Sequence, residues 1–476
     1  MNKKDRSVMF FSVLFLSSFI ISILLAFMNN NDDYWILTIL PLLFIAVLVI
    51  CYNTLSCVFE SFSVLLMVGC YYMRMVILPF IYVYFDYSTI VINDAFLSYL
   101  IPASLLTFYE FLVVMFFCNV IIKKNNKRKN DKDLSLENVK NNVVINRKNK
   151  KAFIIIAFLI TFIMIVYAFY PSIISYFHFI FETNIEKQNV NSINYVVMQQ
   201  TIPKLLYWLA VYAIGILQVI LPIQIINYIS KTKITQNIKF LLSLFVVGFV
   251  LLVATPDVAK SIIMALALCI ILFQIYPGKK KTMIGIILIG FVPAVIFGIF
   301  IKTGVREIGN SISSVLQAYF SGIPNIATAF LLEGRPSVLM IFKDIIKATP
   351  FILSFFKEMK STPNLFNYVL YGNVEGYHTQ IVPMVGQSLF YFGFILAPII
   401  SVLSLKISLF FEKKYSQVKY VYEKYLYLLM SIYFAIAPVV YNFSIMISIS
   451  LQLFLPCFFI VKSCVEKKKS KRKFQT

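Results

Sequence analysis

VMFFSVLFLSSFIISILLAFM, residues Val8–Met28, carries no charged side chain along its whole length. As an α-helix at about 1.5 Å per residue it rises roughly 30 Å, the thickness of the hydrocarbon core of a bilayer. It is apolar on nearly every side and has no polar face to turn toward water. No small-residue cleavage site follows it; the next residues are Asn29-Asn30-Asn31-Asp32. The run therefore reads as a first membrane span and not as a removed signal.

Runs of the same kind recur at 35–52, 62–85, 95–122, 152–170, 204–229, 240–256, 258–276, 283–301, 385–405, 424–441 and 444–461. Composition agrees with this reading. The chain is 60% hydrophobic and 13% charged, more apolar surface than a water-soluble protein of 476 residues can hide. The expected fold is all-α, a polytopic integral membrane protein of about twelve transmembrane helices.

Charge sets the expected orientation. Lys and Arg gather on cytoplasmic loops. With the N and C termini cytoplasmic, the inner segments take 32 of the 43 basic residues, 11 of them in 123–151. The outer segments take 12 of the 21 acids, among them Asp32, Asp33, Asp86 and Asp94. The net charge of +22 is thus explained by topology, and no basic soluble face is present that would suit a nucleic acid. The seven cysteines lie in or beside apolar runs without any CxxC pair, so neither a disulfide framework nor a zinc site is signalled.

This pattern divides the chain. Residues 1–122 form a four-span membrane half, and 123–151 a basic, aromatic-poor cytoplasmic linker. Residues 152–301 form a five-span segment, 302–384 a large extracytoplasmic loop, and 385–461 three more spans. Residues 462–476 are a basic cytoplasmic tail, which anchors the topology or touches anionic headgroups.

The loop 302–384 is out of proportion to most of its counterparts, and loops of such length need a purpose. It is rich in Phe, Leu and Ile, which is not a disordered composition. Val338, Ile341, Phe342, Ile345 and Ile346 fall at helical spacing with Lys343, Asp344 and Lys347 opposite, as in an amphipathic helix lying on a membrane surface. Phe351–Phe356, followed by Lys357, Glu358 and Lys360, has the look of a second one. Ser311–Leu332 is uncharged and reads as re-entrant or spanning, broken near Gly322-Ile323-Pro324.

Seven of the ten basic residues expected outside lie in this loop, against the topological bias. An anion such as a pyrophosphate at the membrane surface would account for them, and pairing with the five acids of the same loop is the alternative. Arg306 (TGVREIGNS) and Arg335 (EGRPS) stand out because neighbouring glycines let backbone approach a ligand closely. Arg74 and Glu110 fall inside spans, where a charge must face the protein interior and find a partner. Two readings are open: a structural Arg74–Glu110 pair, or Arg74 turned toward substrate. Lys260 (TPDVAKSII) opens the eighth span, either snorkelling to the interface or pointing into an outer cavity.

Histidine occurs twice. His178 (SYFHFIF) has no acid close by and reads as interfacial. His378 (GNVEGYHTQIVP) follows Glu375 by three residues where the loop returns to the membrane, and histidine suits proton transfer near neutral pH. No GxxxxGK[ST], HExxH or GxSxG motif is present, and Asp32-Asp33 reads as a loop tip.

Layout and two stretches, YFSGIPNIATAF and GYHTQIVPMVGQSLFYFGFILAPII, give the chain a family likeness. It resembles the Wzy-type polymerases of O-antigen and capsule repeat units. Two departures accompany the likeness. Ala259-Lys260-Ser261 stands where relatives often carry Ser-Arg, and the Arg-x10-Gly pattern is absent, with Gln317 after Arg306 and Ile346 after Arg335. The resemblance implies an enzyme of the bacterial cytoplasmic membrane that joins undecaprenyl-diphosphate-linked oligosaccharides at the outer face. Neither a cofactor nor a metal is expected, and a chain-length regulator and a flippase are the implied partners. Under it, His378 or Glu375 is the base, since a sugar hydroxyl must lose a proton as it attacks. Arg306, Arg335, Arg74 and Lys260 are candidates for holding the diphosphate, and Tyr319, Tyr371 and Tyr377 for stacking on sugars. The rival readings are a flippase for lipid-linked oligosaccharide, or a ligase or other lipid-linked glycosyltransferase. A flippase should show internal repeats and several charges in its spans.

Overall fold

The computed structural model describes residues 3–29, 34–51, 61–85, 94–130, 150–170, 178–179, 201–254, 258–279, 282, 285, 313, 316–317, 319–332, 337–349, 360–371 and 381–464. In chain order the helices used below are α1 (Lys3–Met28), α2 (Trp35–Ile50) and α3, which runs Phe62–Tyr72, through a π turn Met73–Ile77, to Leu78–Phe85. Next come α4 (Leu100–Asn130), α5 (Lys150–Phe169), α6 (Thr201–Lys231), α7 (Gln236–Leu252) and α8 (Val258–Ile275). Three short helices follow, α9 (Ile323–Ala329), α10 (Leu339–Ala348) and α11 (Thr362–Tyr371). The chain then forms α12 (Met384–Phe392), α13 (Ile399–Gln417), α14 (Val421–Val440) and α15, which runs Phe443–Ile449, through a π turn Ser450–Phe454, to Leu455–Cys464.

Seven of these are long and apolar enough to cross a membrane, Val8–Met28, Phe62–Phe85, Phe96–Ile121, Lys151–Phe169, Leu205–Lys231, Val421–Val440 and Phe443–Ser463. Helices α2, α7 and α8 are apolar but shorter. The build is that of a polytopic helical membrane protein. Peripheral helices turn large apolar side chains outward: Phe153 and Phe158 on α5 and Phe245 on α7 are about 70% exposed. At the other extreme, 17 of the 20 residues of α14 are buried. One strand pair interrupts the helices, with His178–Phe179 antiparallel to Val253–Ala254. It joins two stretches that the charge count assigns to the same side.

One expectation needs correction. The run 385–405 is not one span. Helix α12 stops at Gly393, whose φ of 77° is strained for any residue with a Cβ, and α13 begins only after Pro398. Helix α13 then extends to Gln417 with a serine stripe against its neighbours. Ser404 Oγ donates to the Phe434 carbonyl at 2.7 Å and Ser408 Oγ to the Ser431 carbonyl at 2.7 Å. Phe434 is four residues before Pro438, which has no N–H to give it, so the serine satisfies a carbonyl that the proline orphans. The span 283–301 falls outside the described residues except for Gly285.

Within the segment 302–384, the stretch 311–332 that the sequence reads as re-entrant or spanning holds α9. All seven residues of α9 are buried, and it packs against α4 and α12. At about 10 Å it is a third of the hydrocarbon thickness, so it enters the bundle without crossing it. Gly386 on α12 permits the approach: a Cβ there would lie 2.6 Å from Ala329 Cβ.

Candidate functional site

Two polar centres are built on these helices. The first surrounds Arg74 in the π turn of α3. Its Nη1 donates to Glu110 Oε2 at 3.2 Å, and neither side chain is exposed. Its Nη2 donates to the Pro438 and Val439 carbonyls at 3.2 and 3.0 Å, and its Nε to the Phe320 carbonyl at 3.2 Å. Those two α14 carbonyls are the orphans of a helix C-terminus, where a cation is favoured. Ser401 Oγ donates to the other Glu110 oxygen at 2.5 Å. Four of the five guanidinium N–H groups are thus met by protein acceptors, and Tyr71 and Phe111, stacked at 4.5 Å, pack nearby.

The second centre lies among α10, α11, α12 and α15. On α10 the buried stripe is Met340, Asp344 and Ala348, while Leu339, Phe342 and Lys343 face outward. The helix is amphipathic as expected, but it docks on the border between its two faces, which brings Asp344 inside. Asp344 Oδ1 accepts from Thr362 N at 2.9 Å, capping the first turn of α11. Its Oδ2 accepts from Gln387 Nε2 at 2.8 Å and from the Tyr391 hydroxyl. Gln387 also donates to Ser444 Oγ at 2.9 Å, and its Oε1 accepts from Phe443 N at 2.9 Å. One carboxylate and one carboxamide therefore tie four helices together.

In front of this network lies an open cleft of about 400 Å³. Lys347 and Ala348 form one wall, Ser361, Asn364 and Asn367 a second, and Asn442, Ser444 and Ser448 a third, with Ile381 at the edge. Asn442 is only 3% exposed; its Oδ1 caps α15 by accepting from Ile445 N at 2.7 Å, which leaves its amide hydrogens to the cleft. Burial draws the Lys347 ammonium below its ordinary pKa, and neighbouring Asp344 opposes the shift. Amides and hydroxyls around one cation make a surface suited to hydroxyl-rich ligands, since each group can both orient and be oriented by a hydrogen bond.

The sequence-derived residues fall unevenly. Arg74 is placed as above. Tyr319 is half-buried beside Phe320, whose carbonyl Arg74 holds. Tyr371 is the last residue of α11. Lys260 lies against α6, its Nζ 3.6 Å from the position a Cβ on Gly215 would take, on elements that add nothing to the cleft lining. Arg306, Arg335, Glu375, Tyr377 and His378 lie outside the described residues, as does Phe351–Phe356; His378 precedes Ile381 by three positions. Among the described residues no cluster of His, Cys, Asp and Glu is of a kind to hold a metal. Sequence reasoning missed Asp344, Gln387 and Tyr391. Two signals were present: Gln387 stands in the small-polar GQS cluster, and Asn and Ser concentrate at 361–367 and 442–448. No protein-family model, no curated protein and no solved structure matches the chain.

Proposed function

We propose that the protein polymerises undecaprenyl-diphosphate-linked oligosaccharides into a surface polysaccharide at the outer face of the bacterial cytoplasmic membrane. About twelve spans with cytoplasmic termini are part of this reading. The observation that carries it is the cleft: an amide- and hydroxyl-lined surface formed in part by the segment in which the sequence concentrates basic residues on the outer side, and in part by the start of α15. In this reading the cleft holds sugar of one substrate. Arg306 and Arg335 hold the diphosphate, His378 or Glu375 accepts the hydroxyl proton, and the diphosphate leaves with the lipid. Arg74 is part of the framework.

The test is a polymer ladder from a deletion strain complemented with variants. Wild type restores long chains, whereas His378→Ala, Arg306→Ala and the cleft-filling Ser448→Leu should each give single repeat units at normal protein levels. Long chains from all three would sink the assignment. A flippase is the second reading, favoured by the short buried helix α9 and the break at Gly393, since interrupted helices mark many transporters. The same strain separates the two, because loss of a flippase leaves the units trapped inside and loss of a polymerase leaves them exported.

A further inference from the structure

We infer that the cleft among α10, α11 and α15 takes an acidic sugar, its carboxylate held by Lys347, Asn364 and Asn442. That the ligand is a sugar rests on the function proposed above; that it carries an anion rests on the cleft alone.

Charge is the first observation. Over 339–348, 361–371, 381–392 and 442–464, the stretches that form the cleft and the network behind it, Asp344 is the single acid. It is fully buried, and its two oxygens already accept from Thr362 N, Gln387 Nε2 and the Tyr391 hydroxyl. Among the described residues no carboxylate lines the cleft. Lys347 does line it, half-buried, and its ammonium forms no ion pair or hydrogen bond with any described residue. A cation partly withdrawn from water favours an opposite charge beside it, and the walls supply none.

The amides are the second observation. An Asn side chain offers one acceptor oxygen and two donor hydrogens. Asn442 Oδ1 is taken by Ile445 N at 2.7 Å, and its Nδ2 has no partner among the described residues although the side chain is only 3% exposed. Asn364 Oδ1 accepts from Ser361 Oγ at 2.8 Å, which likewise leaves Nδ2 to donate. Ser444 Oγ accepts from Gln387 Nε2, so its own hydrogen remains for a ligand. At these three residues the acceptors are occupied and the donors are not. One ammonium with N–H and O–H donors around it matches a carboxylate, whose two oxygens only accept. At about 400 Å³ the space falls within the range of small-molecule sites. A phosphate shares this chemistry, so the two must be separated by titration.

Ligand-observed NMR titrations of the purified full-length protein in detergent make the test. The probes are methyl glucuronide and methyl galacturonide, each against its neutral methyl hexoside, and inorganic phosphate. Wild type should bind one uronide about tenfold more tightly than its hexoside, the margin of a charge-assisted hydrogen bond over a neutral one. Lys347→Gln should bring that uronide down to the affinity of the hexoside, whereas Lys347→Arg should keep the margin. Equal affinities in both pairs, no binding of any sugar, or a margin that survives Lys347→Gln would overturn the inference. So would tighter binding of inorganic phosphate than of either uronide at the Lys347-dependent site, which would assign the cleft to a phosphate. The polymer ladder fails separately. Long chains from His378→Ala, Arg306→Ala and Ser448→Leu alike would remove the polymerase reading while a Lys347-dependent margin stood. A lost ladder with equal affinities would leave the polymerase and remove the acid.

Discussion

Glu110 and Asp344 are both carboxylates with no solvent exposure, yet the protein accommodates them in opposite ways. Glu110 meets a cation. Arg74 neutralises it directly, and backbone carbonyls use up most of the remaining guanidinium donors. Asp344 meets only neutral donors at its oxygens, a backbone N–H, a carboxamide and a phenol, with Lys347 further off. The consequence lies in what can move. At the first centre each of the four bonded guanidinium hydrogens has its own acceptor. At the second, the two hydrogens of Gln387 Nε2 face three acceptors, Asp344, Tyr391 and Ser444, so bonds there can exchange. A closed pair suits a framework; a set of exchangeable bonds behind a cleft suits a wall that must accept a ligand.

The contrast can be broken most sharply at Arg74. Arg74→Ala strands Glu110 without its counter-charge and should cost about 3–5 kcal/mol, seen as loss of folded protein from membranes and a lower melting temperature in detergent. Arg74→Met combined with Glu110→Leu should recover most of that loss, because no buried charge remains. Asp344→Asn breaks no direct ion pair and should cost about 2 kcal/mol, the range for hydrogen bonds to a charged group. If it cost as much as Arg74→Ala, the distinction between the two centres would fall. Gly386→Ala pushes a methyl into Ala329 on α9, the helix packed between the two centres, and should cost about 1–3 kcal/mol in the same melting measurement.

The smallest effect is a pH dependence. Because the folded pKa of Lys347 is lowered, the unfolded chain binds more protons between that value and the ordinary one of 10.5. Stability should therefore rise slightly with pH across that alkaline window. Lys347→Met should remove the slope. A slope that persists in the variant assigns it to another group.

Much of the fold was legible in single runs of sequence. Helices α1 and α5 declare themselves because a lipid-facing helix must be apolar around its whole circumference. Helix α13 does not, since Ser401, Ser404 and Ser408 look polar in the sequence and find their acceptors only on α4 and α14. The amphipathic pattern of α10 was equally plain, but pattern alone does not say which meridian of a helix docks. For Asp344 that choice separates a solvated charge from the centre of a network.

The sequence by itself determined the class, the apolar helices and the presence of a charge pair at depth, because burying polar groups in lipid is costly enough to show in composition. Only the tertiary structure decided that Arg74 is consumed by Glu110 and two helix-end carbonyls, that α9 lies inside the bundle, and that Asp344 stands behind an amide-lined cleft. Each of these depends on partners distant along the chain, up to 365 residues in the case of Arg74 and Val439, and no local pattern encodes which of them will meet.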